Sequence, residues 1–516
     1  MPPFDFWPLA FMALVPLYLA IREASVLRAA IIGWSCGFAV NMGGFFWGIE
    51  FLEQFAHLSK EMSIVSVLGV CAYQGTIWLI WAMVCNFLCR YLHLSWLIVA
   101  PVFLALLEAA IPMIFTWYLG FTVWRVWPVL QLAELGGPPA VSALLVLINI
   151  IIAEGVGALF GQHPLLRSVK LATWMVIIIL CLGLARTIHV AKMRSDLPTM
   201  KVGIVQPNFG AMAMADQKRH GQQYIEVLRQ ATRELSKLGA DLVIWPESAF
   251  PFIYDRSLKR ENAPSHPLEL KGGRNVRFIS DALAHPFSKS FIYSSAKMVG
   301  ESVRLTGMYD KNQLLAFFER ISFKDETHIW SKWRSDGLPY WPDIETGQGS
   351  RMLQDANLRI APFIYDEDIF QGSVNQVALK QPNCLITLAN HALFGDSTAP
   401  HQALALATLR SVETRRDLVR ATNTGVSSIG DALGRIHNET PFYEMIGDDH
   451  PAPILLVGEV AFMEIFALGP YTTPFFPYAC ALGLGILIVA RIMREFMGRP
   501  QYEIYRHRGR SAGLMD

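Results

Sequence analysis

The segments KVGIVQ, residues 201–206, and DLVIWPE, residues 241–247, decide the fold of the central part of this chain. Each contains a short apolar run directly after its first residue, which is typical of a buried strand. The segment between them carries one apolar helical face, with spacings of four and three along Tyr224, Leu228, Ala231, Leu235 and Leu238. Gly239 follows at the position where a left-handed helix stop is expected. Strand, helix and strand in this order predict an α/β domain.

The same alternation continues along the chain to about residue 456. Strand-like apolar runs lie at 290–296, 303–309, 358–364, 384–389 and 417–422. A helix is predicted at 399–416, directly before the last of these runs. We therefore place an α/β domain at residues 196–456.

The sequence outside this domain is strongly apolar. Hydrophobic residues make up 53% of the 516 residues and charged residues only 17%, against about 25% charged in ordinary globular chains. A bilayer core requires about 20 apolar residues per helix, and candidate spans lie at 6–21, 28–49, 63–89, 95–117, 140–160, 170–189 and 474–492. This pattern excludes a fully soluble, disordered or collagenous protein. It predicts a bundle of about six transmembrane helices at residues 1–195, and a seventh helix with a basic tail at 457–516.

The distribution of basic residues predicts the orientation of the chain. Lys and Arg are more frequent in the joints at 22–29, 90–94 and 161–171 than in those at 50–62 and 118–139, and the tail after residue 490 is rich in Arg. Because cytoplasmic loops carry the excess of Lys and Arg, the N-terminus and the α/β domain are expected outside. The net charge of +1 disfavours a nucleic-acid partner.

Cysteines and common cofactor motifs give little indication of function. Six of the seven cysteines lie in apolar runs, where a small hydrophobic role is expected, and Cys384 alone lies in the α/β domain. The sequence contains no CxxC, HExxH, Walker or GxGxxG pattern. We therefore expect neither a metal nor another cofactor.

Three polar positions directly follow predicted strands. Glu247 follows VIWP, Lys311 follows the run that ends at Tyr309, and Tyr365, Asp366 and Glu367 follow RIAPFI. The ends of strands in α/β domains open onto a crevice where ligands bind. A charged residue at one strand end is usually a solvated turn residue, but three in this order indicate a site.

At these residues the chain resembles the nitrilase superfamily, and more closely its membrane branch, the apolipoprotein N-acyltransferases. The ordered blocks that carry the resemblance are FDFWPLAFMALVPLYLA, LLEAAIPMIFTWYLGFT, LQLAELGGPPAVSALLVLIN, VGIVQPN, DLVIWPESAFP, YDKNQLLAFFE, NHALFG and LRSVETRRDLVRATNTGVSSIGDALGRI. The resemblance implies a multi-pass helical membrane bundle and an extracytoplasmic nitrilase-like αββα sandwich. It also implies location in a bacterial inner membrane, with the sandwich in the periplasm, and one further helix before the first block.

The family transfers an acyl chain from a phospholipid to the N-terminus of a lipoprotein through a thioester on a catalytic Cys. A Glu acts as base, and a Lys stabilises the oxyanion. The resemblance places Glu247 at the base position and Lys311 at the lysine position. It also places Glu319 and Glu367 at two further family glutamates and implies a catalytic role for both. It also assigns to substrate binding three other residues, Asn390, Trp245 and Glu108.

The nucleophile of the family is not present in this sequence. Where the family has Ile-Cys-Tyr-Glu, this chain has Ile364, Tyr365, Asp366 and Glu367, so Tyr365 occupies the Cys position. A phenol with a pKa near 10 is a poor nucleophile at neutral pH. Nearby blocks also differ, with Phe318 at a family Gly and His391 at a family Asp. Cys384 remains an alternative nucleophile, although it has the features of an ordinary buried cysteine.

Two main hypotheses follow from these observations. The first is an acyltransferase with an altered mechanism, and its partners would be phospholipid, lipoprotein and the membrane. The second is a catalytically silent scaffold or lipid- or lipoprotein-binding relative, of the kind represented by the TraB-type membrane proteins linked to conjugal transfer. A transporter is less well supported, because Glu108 is almost the only charge deep in an apolar run. The sequence does not give the oligomeric state.

Overall fold

A computed structural model of the chain describes residues 4–55, 58–161, 166–210, 217–250, 254–255, 276–285, 292–300, 305–314, 344–441 and 453–497. Glu319 and Phe318 lie outside these ranges.

The N-terminal part is a bundle of helices. Its helices are α1 Trp7–Ala10, α2 Val15–Arg22, α3 Val26–Phe45, α4 Gly48–Phe55, α5 Lys60–Tyr91, α6 Trp96–Ala110, α7 Trp127–Leu130, α8 Ala133–Leu159 and α9 Arg167–Ser195. Near the other end of the chain, α13 Gly469–Thr472 precedes α14 Phe476–Met497. Among the described residues, five helices (α3, α5, α8, α9 and α14) are long and apolar enough to cross a membrane. The apolar multi-helix part of the predicted fold is confirmed.

Three of the predicted spans differ from the helices observed. The span predicted at 6–21 is divided into α1 and α2, with residues 11–14 between them. The span predicted at 95–117 ends at Ala110, because Ile111 precedes Pro112 and adopts an extended conformation with ψ of 117°. The span predicted at 28–49 ends at Phe45, and the short helix α4 begins a few residues later. Helix α6, Trp96–Ala110, is therefore shorter than a typical bilayer span.

A bend in α8 brings the bundle close to the α/β domain. Gly136 and Gly137 interrupt the helix with non-helical angles, and Gly137 has φ of 68°. A side chain at Gly137 would be strained in this conformation, and its Cβ would lie 2.5 Å from Nε2 of Gln371 in the α/β domain. Glycine is therefore required here by both the conformation and the close approach.

The α/β domain contains two β-sheets. Their strands are β1 Thr199–Gln206, β2 Leu242–Ile244, β3 Tyr254–Asp255, β4 Arg277–His285, β5 Tyr293–Val299, β6 Leu305–Asp310, β7 Leu353–Asp355, β8 Leu358–Ile364, β9 Cys384–Ala389, β10 Asp417–Thr422, β11 Ser428–Gly430, β12 Ile436–Glu439 and β13 Ile454–Ala461. The first sheet has the order β13-β1-β2-β4-β5-β6, with β3 beside β4, and the second has β12-β11-β10-β9-β8-β7. Three helices accompany the sheets, namely α10 Gln217–Lys237, α11 Gln371–Ala378 and α12 Ala399–Thr414.

The packing of apolar side chains defines four layers. The inner faces of the two sheets share one core, in which Ile244 and Ile279 of the first sheet join Ile386 and Val419 of the second. The outer face of the first sheet packs against α10, and α11 and α12 cover the outer face of the second. This is the αββα sandwich that the resemblance implies, and the predicted fold class is confirmed.

The sandwich extends beyond the boundary predicted at residue 456. Strand β13 pairs with β1 in antiparallel register from Gln206 opposite Ile454 to Thr199 opposite Ala461. Residues 457–461 therefore complete the first sheet and do not belong to the C-terminal helical segment. Strands β4 and β13 and helix α11 are absent from the sequence prediction, because neither strand resembles a bounded apolar run and α11 carries few apolar residues.

Candidate active site

Glu247 and Lys311 meet on the inner side of the first sheet. Glu247 follows β2 after Trp245 and Pro246, and Lys311 is the first residue after β6. Nζ of Lys311 donates a hydrogen bond to Oε1 of Glu247 over 3.2 Å. Lys311 is 1% exposed and Glu247 is 6% exposed, so the two opposite charges form a buried pair.

Tyr365 lies directly beside this pair. It follows β8, and its φ of 59° places it in the left-handed region, where a bulky side chain is rarely found. Its backbone N–H donates to the carbonyl oxygen of Leu388 over 2.7 Å, which fixes the turn to β9. The Lys311 ammonium lies 4.9 Å from the centroid of the Tyr365 ring, within the range of a cation–π interaction.

This geometry determines what the three side chains can do chemically. An acyl-transfer site requires a nucleophile beside a base, and an electrophilic group that stabilises the oxyanion. Here Glu247 and Lys311 provide a carboxylate and an ammonium, while the third position holds a phenol ring that is 6% exposed. The ring occupies space next to the ammonium that an acyl carbonyl would need.

Glu367 has a different environment and bridges two loops. Its Oε1 accepts from the backbone N–H groups of Asn312 (2.7 Å) and Gln313 (3.0 Å), and its Oε2 accepts from that of Ile364 (2.8 Å). The hydroxyl of Tyr309 donates to both oxygens at 2.9 Å. Glu367 therefore ties the lysine loop to the turn that carries Tyr365. This arrangement favours a positioning role over the catalytic role that the sequence suggests.

The titration of the Glu367 carboxyl depends on opposing effects. Burial raises its pKa, while the three backbone N–H donors and the positive charge of Lys311 lower it. Burial also raises the pKa of Tyr309, and the negative charge of Glu367 raises it further. Tyr309 thus remains a neutral donor to Glu367. Sequence reasoning missed its role, because a tyrosine at the end of a strand resembles an ordinary core residue.

Asn390 and His391 lie in the loop after β9. Oδ1 of Asn390 accepts from Nδ2 of Asn423 over 3.1 Å, so the side chain stabilises the loop geometry near the site. His391 is 2% exposed, and its ring centroid lies 6.1 Å from that of Tyr365. Its Nε2 lies 3.3 Å from Nη2 of Arg420, which itself forms an ion pair with Asp368. Burial and the Arg420 charge hold the pKa of His391 well below its usual value.

Two residues assigned to substrate binding lie away from the Glu247–Lys311 pair. Trp245 is 1% exposed and packs among the core residues under α10, with its Nε1 donating to Oγ1 of Thr232 over 3.0 Å. It points to the outer face of the sheet, away from the inner core. Glu108 lies in α6 within the bundle, where its Oε1 accepts from the Leu119 N–H over 2.8 Å.

Cys384 is unsuited to replace the missing nucleophile. It begins β9, four residues before Leu388, which contacts the Tyr365 turn, and four strand residues span about 13 Å. Its side chain is fully buried, and burial raises the pKa of its thiol. A nucleophilic cysteine requires a lowered pKa and access to substrate.

Comparisons with known proteins identify relatives of both parts of the chain. Residues 1–151 match the model of the apolipoprotein N-acyltransferase N-terminal domain, and residues 201–446 match that of the carbon-nitrogen hydrolases. An apolipoprotein N-acyltransferase of Geobacter metallireducens is 25% identical over 504 residues, covering 95% of this chain and 92% of that protein. One from Pseudomonas putida is 28% identical over 516 residues, covering 95% and 93%.

Solved structures of nitrilase-superfamily proteins align with about half of the chain. An amidase of Nesterenkonia AN1 gives a TM-score of 0.36 at 17% sequence identity, covering 52% of this chain and 93% of that chain. Nit3 of Saccharomyces cerevisiae gives a TM-score of 0.36 at 16% identity, covering 51% and 90%.

Proposed function

Because this chain belongs to the apolipoprotein N-acyltransferase family, we propose that it binds the phospholipid and lipoprotein substrates of that family without forming an acyl-enzyme. The site of binding is the cleft around Glu247 and Lys311. Tyr365 replaces the thiol on which the family forms its thioester. The protein then acts as a membrane-bound lipid- or lipoprotein-binding relative of the acyltransferases.

One observation carries this proposal, namely the position of the Tyr365 ring. The ring is buried in the turn after β8 and lies 4.9 Å from the Lys311 ammonium. A phenol is a poor nucleophile at neutral pH, because the unperturbed pKa of tyrosine, near 10, leaves very little phenolate. The nucleophile position is therefore occupied by a phenol ring, which does not attack an acyl carbonyl at neutral pH.

The retained charges support binding over complete loss of the cleft. Glu247 and Lys311 remain paired at 3.2 Å, and Glu367 still fixes the loop that carries the lysine. A buried ion pair is costly to maintain unless its geometry is held by further hydrogen bonds. The cleft thus keeps the polar groups with which the family faces its substrates.

The proposed location is a bacterial inner membrane, with the αββα sandwich on the periplasmic side. The excess of Lys and Arg in alternate joints supports this orientation. Five long apolar helices among the described residues support a multi-pass arrangement. A fusion of alkaline phosphatase after residue 441 should be active if the sandwich is periplasmic, and inactive if it is cytoplasmic.

An acylation experiment tests the proposed function. The full chain, in detergent, is incubated with phosphatidylethanolamine, and intact mass is measured for the wild type, Tyr365→Cys, and Tyr365→Cys with Glu247→Gln. We expect no acyl adduct on the wild type and a hydroxylamine-sensitive adduct on Tyr365→Cys. The adduct should be lost when Glu247 is also replaced, because the thiol then lacks its base.

Binding is measured in the same preparation with a photoactivatable phosphatidylethanolamine. We expect wild-type cross-links in peptides that contain or flank Glu247, Lys311 or Tyr365. An acyl adduct on the wild type would overturn the proposal in favour of an altered acyltransferase mechanism. Absence of these cross-links, or of an adduct on Tyr365→Cys, would show that the cleft does not accept the family's lipid.

A further inference from the structure

Asp281 is a buried carboxylate on the inner face of the first sheet, next to the Glu247–Lys311 pair. It lies on β4 opposite Ala296 of β5, and Ala296 belongs to the core between the two sheets. Residues directly opposite on antiparallel strands share a face of the sheet, so Asp281 also faces inward. Its exposed fraction is 0%.

The Asp281 carboxylate holds the turn that follows Glu247. Its Oδ2 accepts from the backbone N–H of Ser248 over 3.0 Å. Ser248 has φ of 56°, a left-handed conformation that is unfavourable for a residue with a side chain. The hydrogen bond from Ser248 to Asp281 compensates for this cost and fixes the direction in which Glu247 leaves the sheet.

The same carboxylate is connected to Lys311 through Ser294. The hydroxyl of Ser294 donates to Oδ1 of Asp281 over 3.1 Å, and the carbonyl oxygen of Ser294 accepts from the backbone N–H of Lys311 over 2.9 Å. Asp281 is therefore hydrogen-bonded directly to the residue after Glu247 and, through Ser294, to the backbone of Lys311.

We propose that Asp281 is a positioning residue that sets the geometry and the electrostatic field of the Glu247–Lys311 site. The proposal concerns the same cleft as the proposed function, but it holds whether or not that cleft binds lipid. Together with Glu247 and Glu367, Asp281 adds a further negative charge near the ammonium of Lys311. Sequence motifs do not reveal this role, because Asp281 lies inside a strand and outside every block that carries the family resemblance.

Burial and the surrounding polar and charged groups shift the pKa of the Asp281 carboxyl in opposite directions. Burial raises the pKa of its carboxyl, while the Ser248 N–H, Lys311, the Ser294 hydroxyl and Lys297 lower it. Lys297 lies opposite Ser280 in the register of β4 and β5, which places it on the outer face of the sheet. Lys311 is thus the cation that shares the inner face with Asp281.

A cysteine introduced in place of Tyr365 provides a probe of this field that does not depend on acyl transfer. In Tyr365→Cys the introduced thiol would lie near the Lys311 ammonium, which lowers the pKa of the thiol. The rate at which iodoacetamide alkylates the peptide that carries this thiol is measured by mass spectrometry on the full chain, from about pH 6 to pH 10. The pH midpoint of this rate gives the pKa of the introduced thiol.

Two substitutions in the Tyr365→Cys background should shift this pKa in opposite directions. Asp281→Asn removes a negative charge but keeps hydrogen-bonding atoms, so we expect the pKa of the introduced thiol to fall by about one unit. Ser294→Ala keeps the charge but removes the hydrogen bond from the Ser294 hydroxyl to Asp281, which links Asp281 to Lys311. The Lys311 ammonium should then be less well placed, and the pKa of the thiol should rise by a few tenths of a unit.

Asp355→Asn is the matched control. Asp355 pairs with Arg277 at 2.9 Å, and Arg277 lies four residues before Asp281 on the same strand, about 13 Å away. This control should leave the pKa of the introduced thiol unchanged. A thiol pKa in Asp281→Asn equal to that of the control would overturn the proposal. If Asp281→Asn does not fold, an unchanged pKa in Ser294→Ala would overturn it instead.

The alkylation result is separable from the proposed function. Failure of Tyr365→Cys to accept an acyl chain from phosphatidylethanolamine would contradict lipid binding at the cleft. It would not alter the expected shifts for Asp281→Asn and Ser294→Ala, because iodoacetamide reports only on the thiol. The expected pKa shifts, together with an acyl adduct on Tyr365→Cys, would support both proposals.

Discussion

At the scale of single residues, the buried pair of Glu247 and Lys311 has a predictable energetic cost. Lys311→Met should lower the free energy of unfolding by about 3–5 kcal/mol, because the buried Glu247 carboxylate would lose the ammonium that offsets its charge. The double variant Lys311→Met with Glu247→Leu should recover most of this loss, since two apolar side chains avoid the desolvation penalty. SDS-induced unfolding of the detergent-solubilised chain measures both. Equal losses in the single and double variants would contradict this account.

His391 provides a second prediction, which concerns pH. Its pKa in the folded chain is well below the usual value, because of burial and the Arg420 guanidinium, whereas in the unfolded chain it is about 6.5. Below that pH the unfolded state binds a proton that the folded state does not, so the folded state loses stability as the pH falls. His391→Gln should remove this contribution.

The measurement is the decrease in melting temperature between about pH 7.5 and pH 5.5, a range that includes the pKa of histidine in the unfolded chain. We expect a smaller decrease for His391→Gln than for the wild type. His189→Gln serves as control, because His189 is exposed on α9 and should behave like the wild type. The same decrease in all three proteins would show that His391 titrates normally in the folded state.

Motif spacing predicts some features of the site and misses others for definite reasons. The positions of Glu247, Lys311 and Tyr365 after strands predict that they lie near one crevice, and the structure brings them together. The ring position of Tyr365 depends on its left-handed backbone, which the sequence does not specify. Asp281 is not predictable either, because its role depends on the β4–β5 register.

At the scale of secondary-structure elements, Glu367 joins the end of β6 to the end of β8. Both carboxylate oxygens accept N–H or O–H donors, so glutamine would place an NH₂ group against at least one donor. Glu367→Gln should cost about 1–3 kcal/mol or more of unfolding free energy, the usual penalty for unsatisfied buried partners. Tyr309→Phe removes one donor and should cost only about 1 kcal/mol.

Hydrogen exchange separates this local link from general destabilisation. In Glu367→Gln, the amides of 311–314 and 363–367 should exchange faster than in the wild type, while those of β10 should remain protected. Tyr309→Phe should show a weaker effect in the same peptides. A uniform increase across the whole sandwich would contradict the specific role of Glu367 in joining the two loops.

The elements themselves are predictable where local pattern dominates. The strands expected at 358–364, 384–389 and 417–422 are observed with those bounds, because each is an apolar run buried between a sheet partner and a helix layer. Strand β13 depends instead on long-range pairing with β1. Its apolar residues continue towards the C-terminal helix, and this continuity is the reason for placing the boundary at 456.

At the scale of the whole molecule, buried charges join the bundle to the sandwich. Oε2 of Glu134 on α8 accepts from Nη2 of Arg415 over 2.6 Å, and its Oε1 accepts from Nη2 of Arg186 on α9 over 2.8 Å. Arg194, near the end of α9, pairs with Asp417 at 2.8 Å. Arg415 and Asp417 lie in the block LRSVETRRDLVRATNTGVSSIGDALGRI, which carries part of the family resemblance, but the sequence does not show that their partners lie in the bundle.

The difference in burial between the two partners of Glu134 allows this connection to be tested. The Arg415 side chain is 0% exposed and that of Arg186 is 31% exposed. Glu134→Gln leaves Arg415 buried without its counter-charge, so it should cost about 3–5 kcal/mol of unfolding free energy. Arg186→Gln, the matched control, removes a partly hydrated partner and should cost at most about 1 kcal/mol.

Hydrogen exchange in the 413–418 segment locates this effect within the molecule. Its amides should exchange faster in Glu134→Gln, because the end of α12 is then no longer held to α8 by the Glu134–Arg415 pair. In Arg186→Gln the same amides should exchange at rates near those of the wild type. Equal unfolding costs in the two variants would contradict a buried electrostatic connection. Unchanged exchange at 413–418 in Glu134→Gln would show that apolar packing between α8 and α12 is sufficient to hold the sandwich on the bundle.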